Sequence, residues 1–173
     1  CAGTASTSPG CALGGTHVTK SETYQRVVRT GDTFVVCKSG VCSTYQPVIC
    51  NKSGVYRWGV SQVADLLGHV TTYAWDTANS CTGNFATSVP QFAYPKSVTY
   101  NKGRYVVEVR YDNSVTRFPH ATGAGDFVRS KRVKNIAVKV TGRNKSAWGL
   151  SYQVGNDVLS KIQPYGTDVT FDA

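Results

Sequence analysis

Ser61-Gln62-Val63-Ala64-Asp65-Leu66-Leu67-Gly68-His69-Val70-Thr71-Thr72-Tyr73-Ala74-Trp75-Asp76 is the stretch on which the fold class turns. Its apolar residues Val63, Leu66, Leu67, Val70, Tyr73 and Ala74 recur at spacings of three, four and seven, the period of one helix face. Ser61 stands where an N-cap belongs, and the pattern ends near Asp76. The spacing predicts one amphipathic helix over Ser61–Asp76. Upstream lie short runs rich in β-branched and aromatic residues: Tyr24–Val28, Thr33–Cys37, Tyr45–Cys50 and Val55–Trp58. Gly31-Asp32, Ser39-Gly40 and Ser53-Gly54 separate them and read as turns. One helix laid on a small antiparallel sheet makes this part of the chain α+β.

Downstream, Thr82–Pro90 is polar, rich in small residues and closed by a proline, and it reads as a linker. The boundary is placed near residue 88, giving domains 1–88 and 89–173. Beyond it the period changes to two. Ser97–Tyr100, Arg104–Tyr111, Ser114–Phe118, Arg132–Val140, Ala147–Val154 and Tyr165–Phe171 read as strands, with Asn101-Lys102-Gly103 and Asp112-Asn113 as hairpin turns. Asp157–Ile162 fits a strand or a helical turn. Strands at this spacing predict an all-β C-terminal β-sandwich.

Cysteine and charge divide the 173-residue chain in the same place. All six cysteines, Cys1, Cys11, Cys37, Cys42, Cys50 and Cys81, precede the linker. An even count in a chain that begins at cysteine and holds no methionine suggests export after removal of a leader. Three disulfides are therefore expected in the first half, with 15 connectivities open; Cys37 and Cys42 look like strand ends across a tight glycine turn. The intervening lengths of 9, 25, 4, 7 and 30 residues contain no C-x2-C pair, which argues against zinc. A lipidated Cys1 would leave an odd number of thiols. No apolar run approaches the roughly 18 residues of a membrane-spanning helix.

The net charge of +9 lies mostly downstream: six Lys/Arg against four Asp/Glu before residue 90, thirteen against six after it. The run Arg129-Ser130-Lys131-Arg132-Val133-Lys134, with Lys139 beyond, has three readings. It can be a solvated strand edge, a polyanion site, or a basic protease site protected by structure. Arg129, Lys131, Arg132, Lys134 and Lys139, with His120 in its loop, form the candidate binding surface. As a polyanion site it would take an anionic glycan, a membrane surface or nucleic acid, of which nucleic acid is not expected. Asn51-Lys52-Ser53 and Asn144-Lys145-Ser146 match glycosylation acceptors, and Trp58, Trp75 and Trp148 could stack on sugars, although most aromatics belong to a core.

Catalytic pieces are few: His17, His69, His120, Lys20, Glu22 and Glu108 are scattered along the chain. No nucleophile elbow, HExxH helix, phosphate loop or EF-hand spacing occurs. Neither a metal nor a cofactor is expected, and no catalysis. A small ribonuclease using two loop histidines is the enzymatic alternative, behind a glycan-binding or polyanion-binding module of the toxin or lectin kind.

The layout of six cysteines within Cys1–Cys81, a helix at Ser61–Asp76, a linker at Thr82–Pro90 and a cysteine-free β half resembles a known group. These are the dual-domain secreted-in-xylem effectors of fungal vascular-wilt pathogens. That resemblance implies a secreted virulence protein acting in the host apoplast or xylem. Its implied partner is a host plant protein or immune receptor, and its implied mode of action is binding. No site residues transfer with it.

Overall fold

The computed structural model describes residues 1, 8–21, 23–51, 54–76, 81, 93–122 and 125–167; the side chains of 51, 114–122 and 125–129 fall outside that set. Among the described residues a one-turn helix, α1 (Pro9–Ala12), precedes ten strands. They are β1 (Arg26–Thr30), β2 (Thr33–Lys38), β3 (Val41–Asn51), β4 (Gly54–Ala64), β5 (Val70–Asp76), β6 (Tyr94–Tyr100), β7 (Tyr105–Thr122), β8 (Gly125–Val140), β9 (Arg143–Tyr152) and β10 (Leu159–Tyr165). All ten pair antiparallel, each with its neighbour in sequence, in a single sheet of order β1 to β10.

This corrects the expected α+β domain followed by a β-sandwich. Ser61–Asp76 is the end of β4, a turn at Asp65–His69, and β5. Two period-two segments flanking a Leu-Leu turn imitate helical spacing. Val70–Trp75 alternates exposed and half-buried residues, with Thr71, Tyr73 and Trp75 facing inward, and its β-branched and aromatic side chains favour a pleated surface. Leu66 and Leu67, counted into the apolar face, are 84% and 82% exposed at the turn. Gly68 takes a positive φ of 79°, which ends any helix there. Ser61 caps nothing: its hydroxyl donates to the Thr44 carbonyl on β3. The observed helix is the short α1, where Ser8 Oγ accepts from the Gly10 amide and Pro9 fits the first turn. Asp157–Ile162, open in sequence, runs into β10.

The core is small and lies where β3 meets the chain around β5 and β6. Val48, Ile49 and Ala93 are buried together with Trp75 packed against them. Trp75 Nε1 donates to the Val60 carbonyl at 2.8 Å, satisfying its polar edge. Gly59 makes room for the indole: a Cβ there would fall 2.6 Å from Trp75.

Disulfides join Cys1 to Cys11, Cys37 to Cys42 and Cys50 to Cys81, leaving no free thiol. Cys37 and Cys42 are direct cross-strand partners on β2 and β3, whereas Cys50–Cys81 ties the end of β3 to the chain beyond β5. The linker Thr82–Pro90 and the boundary near residue 88 lie outside the described residues. On either side of them β5 and β6 pair, Thr72 opposite Thr99.

Register aligns much of the sheet on one row: Thr44, Gln62, Thr72, Thr99, Val106, Lys139 and Asn144 are successive partners from β3 to β9. The turns at Ser39-Gly40, Asp65–His69, Asn101–Arg104 and Thr141-Gly142 therefore lie at one end of the sheet.

Candidate functional site

Two irregularities in the ladder shape a cleft. Between β5 and β6 the partners run Ala74 with Ser97 and then Trp75 with Pro95, so Lys96 is an extra residue. Between β7 and β8 they run Arg110 with Asn135 and then Tyr111 with Val133, so Lys134 is extra. A β-bulge bends its strand and re-aims the inserted side chain. Both lysines line an open cleft of about 410 Å³ with Asp76, Val109, Arg110, Tyr111, Lys131 and Asn135. That volume falls within the range of small-ligand pockets, about 300–1,000 Å³.

The wall of the cleft is fixed by two tyrosines. Tyr94, 6% exposed, accepts the Ser130 and Lys131 amides on its hydroxyl at 2.9 and 3.1 Å. This holds β8 where its pairing with β7 becomes irregular, between Asn113 and Phe118. Tyr111 packs on Tyr94 with ring centroids 5.0 Å apart and donates its hydroxyl to the Pro95 carbonyl at 2.6 Å, beside the Lys96 bulge. Burial, and then the negative charge of Asp76 and the neighbouring Tyr94, push the Tyr111 phenol up to about 12. Tyr111 therefore presents a neutral phenol at ordinary pH. Lys131 Nζ donates to Asp76 Oδ2 at 2.6 Å and lies 5.8 Å from the centre of the Tyr94 ring.

Among the described residues, four cationic side chains, Lys96, Arg110, Lys131 and Lys134, line the cleft against one carboxylate, Asp76. Like charges gathered in this way repel one another, and an anion entering the cleft relieves that repulsion.

The sequence-derived surface divides on this structure. Lys131 and Lys134 reach the cleft. Arg132 turns elsewhere: it donates to Asp157 Oδ1 at 3.0 Å and the Asn156 carbonyl at 3.2 Å, and lies over the Tyr152 ring at 4.4 Å. Arg132 and Asp157 are only 18% and 16% exposed, so this pair clasps β8 to the segment before β10. Lys139 is held by Glu108 at 2.7 Å across β7 and β8. The backbones of His120 and Arg129 belong to β7 and β8, opposite Phe127 and Phe118; their side chains lie outside the described residues. Lys96, Arg110, Tyr111 and Asp76 were absent from the sequence-derived surface. Pro95 was the available signal for Lys96, because proline inside a strand marks an edge or a bulge.

The other histidines stand apart from the cleft. His17 meets Thr16 Oγ1 at 2.9 Å and the Phe34 ring edge-on. His69 meets Asp65 at 2.8 Å, which draws the Asp65 carboxyl below its ordinary range. Asn144 is a half-buried residue of β9 opposite Lys139, and Ser53 of the other acceptor lies outside the described residues. Among the described residues, no group of three or more His, Cys, Asp or Glu is placed to hold a metal ion. No helix among them is long and apolar enough to cross a membrane.

Comparison with solved structures places this topology beside a known domain. The chain is similar to the N-terminal domain of effector protein SpvB from Salmonella typhimurium strain LT2. The TM-score is 0.65 at 10% identity, over 79% of this chain and 61% of that one. The likeness is one of fold. The chain spans about three fifths of that domain's length. No protein-family model matches the chain, and no curated protein matches it.

Proposed function

We propose that the chain is a non-catalytic binding module of a secreted, effector-type protein, and that the cleft between β5 and β8 binds an anionic glycan of a host surface. The observation that carries this reading is the pair of bulges. Lys96 and Lys134, on strands separated by β7, are both taken out of the regular ladder and brought to one cleft. Neither lysine makes an ion pair with a carboxylate among the described residues, which leaves both charges to a ligand in the cleft.

Three disulfides are compatible with an oxidising, extracytoplasmic setting. The effector reading draws support from the fold shared with a domain of an effector protein. The secreted-in-xylem resemblance retains its cysteine placement but loses its helix, so a plant receptor as partner rests on less than the cleft does. The geometry favours sulfate or carboxylate groups: Tyr111 and Asn135 add neutral hydrogen-bonding groups beside the cations, as sugar hydroxyls require.

The test is retention on immobilised heparin with a salt gradient. Retention that moves to markedly lower salt in the Lys96→Glu/Lys134→Glu variant supports the reading; passage of the wild-type chain at low salt refutes it.

A further inference from the structure

The end of the sheet that carries the turns at Ser39-Gly40, Asp65–His69, Asn101–Arg104 and Thr141-Gly142 has a chemistry of its own, distinct from the cleft. Leu66 and Leu67 project from the Asp65–His69 turn, 84% and 82% exposed. Their exposure is built in. Asp65 Oδ1 accepts the Leu67 and His69 amides at 2.9 Å each, and Oδ2 pairs with the His69 ring, closing the turn with both leucines outside it. Leu66 leans over the neighbouring turn, where a Cβ on Gly40 would fall 2.5 Å from its Cδ1. The small residue there gives the leucine its seat.

Around this apolar tip the turns are basic. Lys38, Lys102, Arg104 and Arg143 are exposed at the same end, and none of them closes an ion pair with a carboxylate among the described residues. Asp65 is the one carboxylate on these four turns, and His69 and two amides already engage it. The row from Thr44 to Asn144 places these turns along one edge.

We propose that this edge docks on an anionic lipid surface, with Leu66 and Leu67 entering the acyl boundary and Lys38, Lys102, Arg104 and Arg143 lying at the level of the headgroups. The shape decides for lipid over a protein partner. Two leucines on a convex tip supply far less than the roughly 800 Å² per partner of a stable protein interface. A bilayer accepts a convex apolar tip, and its anionic headgroups complement the flanking cations. Each lysine or arginine near such a surface raises affinity by a factor of about five. The contact is peripheral and requires no spanning segment.

The experiment is sedimentation of the intact chain with phosphatidylcholine vesicles, with and without phosphatidylserine. Binding is expected only where phosphatidylserine is present, and it should weaken with added salt. Leu66→Asp/Leu67→Asp should lower it about tenfold or more, and Lys102→Glu/Arg143→Glu similarly. The residues are exposed, so thermal unfolding should not shift, and this separates lost docking from lost folding. Lys96→Glu/Lys134→Glu should keep vesicle binding, which distinguishes this edge from the cleft. Three results would overturn the proposal: no binding to phosphatidylserine vesicles, undiminished binding by the leucine variant, or a leucine-dependent dimer without vesicle binding.

Discussion

Lys96 and Lys134 stand on β6 and β8, with β7 between them, and each is the inserted residue of a β-bulge whose side chain lines the same cleft. Neither makes an ion pair with a carboxylate among the described residues. Exposed lysines of this kind contribute little to folding. Replacing either with glutamate is expected to change stability by no more than about 0.5 kcal/mol. Chemical denaturation of the single variants checks this, with an unchanged slope showing that the sheet is intact.

Asp76 is the one carboxylate among the described residues that line the cleft, and it acts on two neighbours at once. It pairs with Lys131 and helps to raise the Tyr111 phenol. Asp76→Asn is expected to release Lys131 and so tighten binding of a sulfated oligosaccharide, while lowering the Tyr111 value from about 12. Because that phenol holds its proton more tightly in the folded chain, its contribution to stability is complete below the ordinary tyrosine value of about 10. It is lost as pH rises toward about 12. In the Asn variant this alkaline loss should be smaller and complete at a lower pH, its onset near the ordinary tyrosine value being unchanged. Phenolate absorbance, compared with a Tyr111→Phe control, and unfolding across the alkaline range would show it.

Gly59 is required by packing. Its φ is not in the left-handed region, yet an added methyl would fall 2.6 Å from the Trp75 ring and 2.7 Å from Val48 Cγ1. Gly59→Ala is expected to cost about 1–3 kcal/mol by overpacking. Thermal unfolding should report the loss, and Trp75 emission should move as the indole is displaced from the cluster of Val48, Ile49 and Ala93.

Much of the sheet was legible in the sequence because alternation and glycine turns act locally. β1, β2 and β9 overlap their period-two runs, and Ser39-Gly40 and Asn101-Lys102-Gly103 form turns as expected. Asp112-Asn113, expected as a hairpin turn, instead lies inside β7 opposite Arg132 and Lys131, so that the runs expected at Arg104–Tyr111 and Ser114–Phe118 fall on one strand. The helix was misread because Leu66 and Leu67 are apolar residues that the fold leaves exposed, and periodicity assumes that apolar residues face inward. The cleft was half legible. Lys131 and Lys134 belong to a visible basic run, but Lys96 and Arg110 come from strands far away in sequence. They join it only through register, which no local pattern specifies. Arg132 and Lys139 carry the same charge in the same run, yet Asp157 and Glu108 hold them in structural pairs.

Cys50–Cys81 closes the longest of the three disulfide loops, with a sequence separation of 31. Chain-entropy arguments give such a loop about 3–4 kcal/mol. It also tethers the end of β3, next to the buried Val48 and Ile49. Replacing both cysteines with alanine is expected to lower thermal stability by at least that of the Cys37–Cys42 replacement, whose loop spans only 5. Thermal unfolding of the two double variants, side by side, gives the order.

The most direct measurement is a calorimetric titration of a short, defined sulfated oligosaccharide into the wild-type chain and into Lys96→Glu/Lys134→Glu, repeated across a range of salt. Saturable binding that weakens with salt is expected for the wild type, with binding lost or strongly reduced in the variant and a shallower salt dependence in whatever remains. Equal affinity in the two proteins, or no heat of binding from a folded wild-type chain at low salt, would contradict the assignment of the cleft.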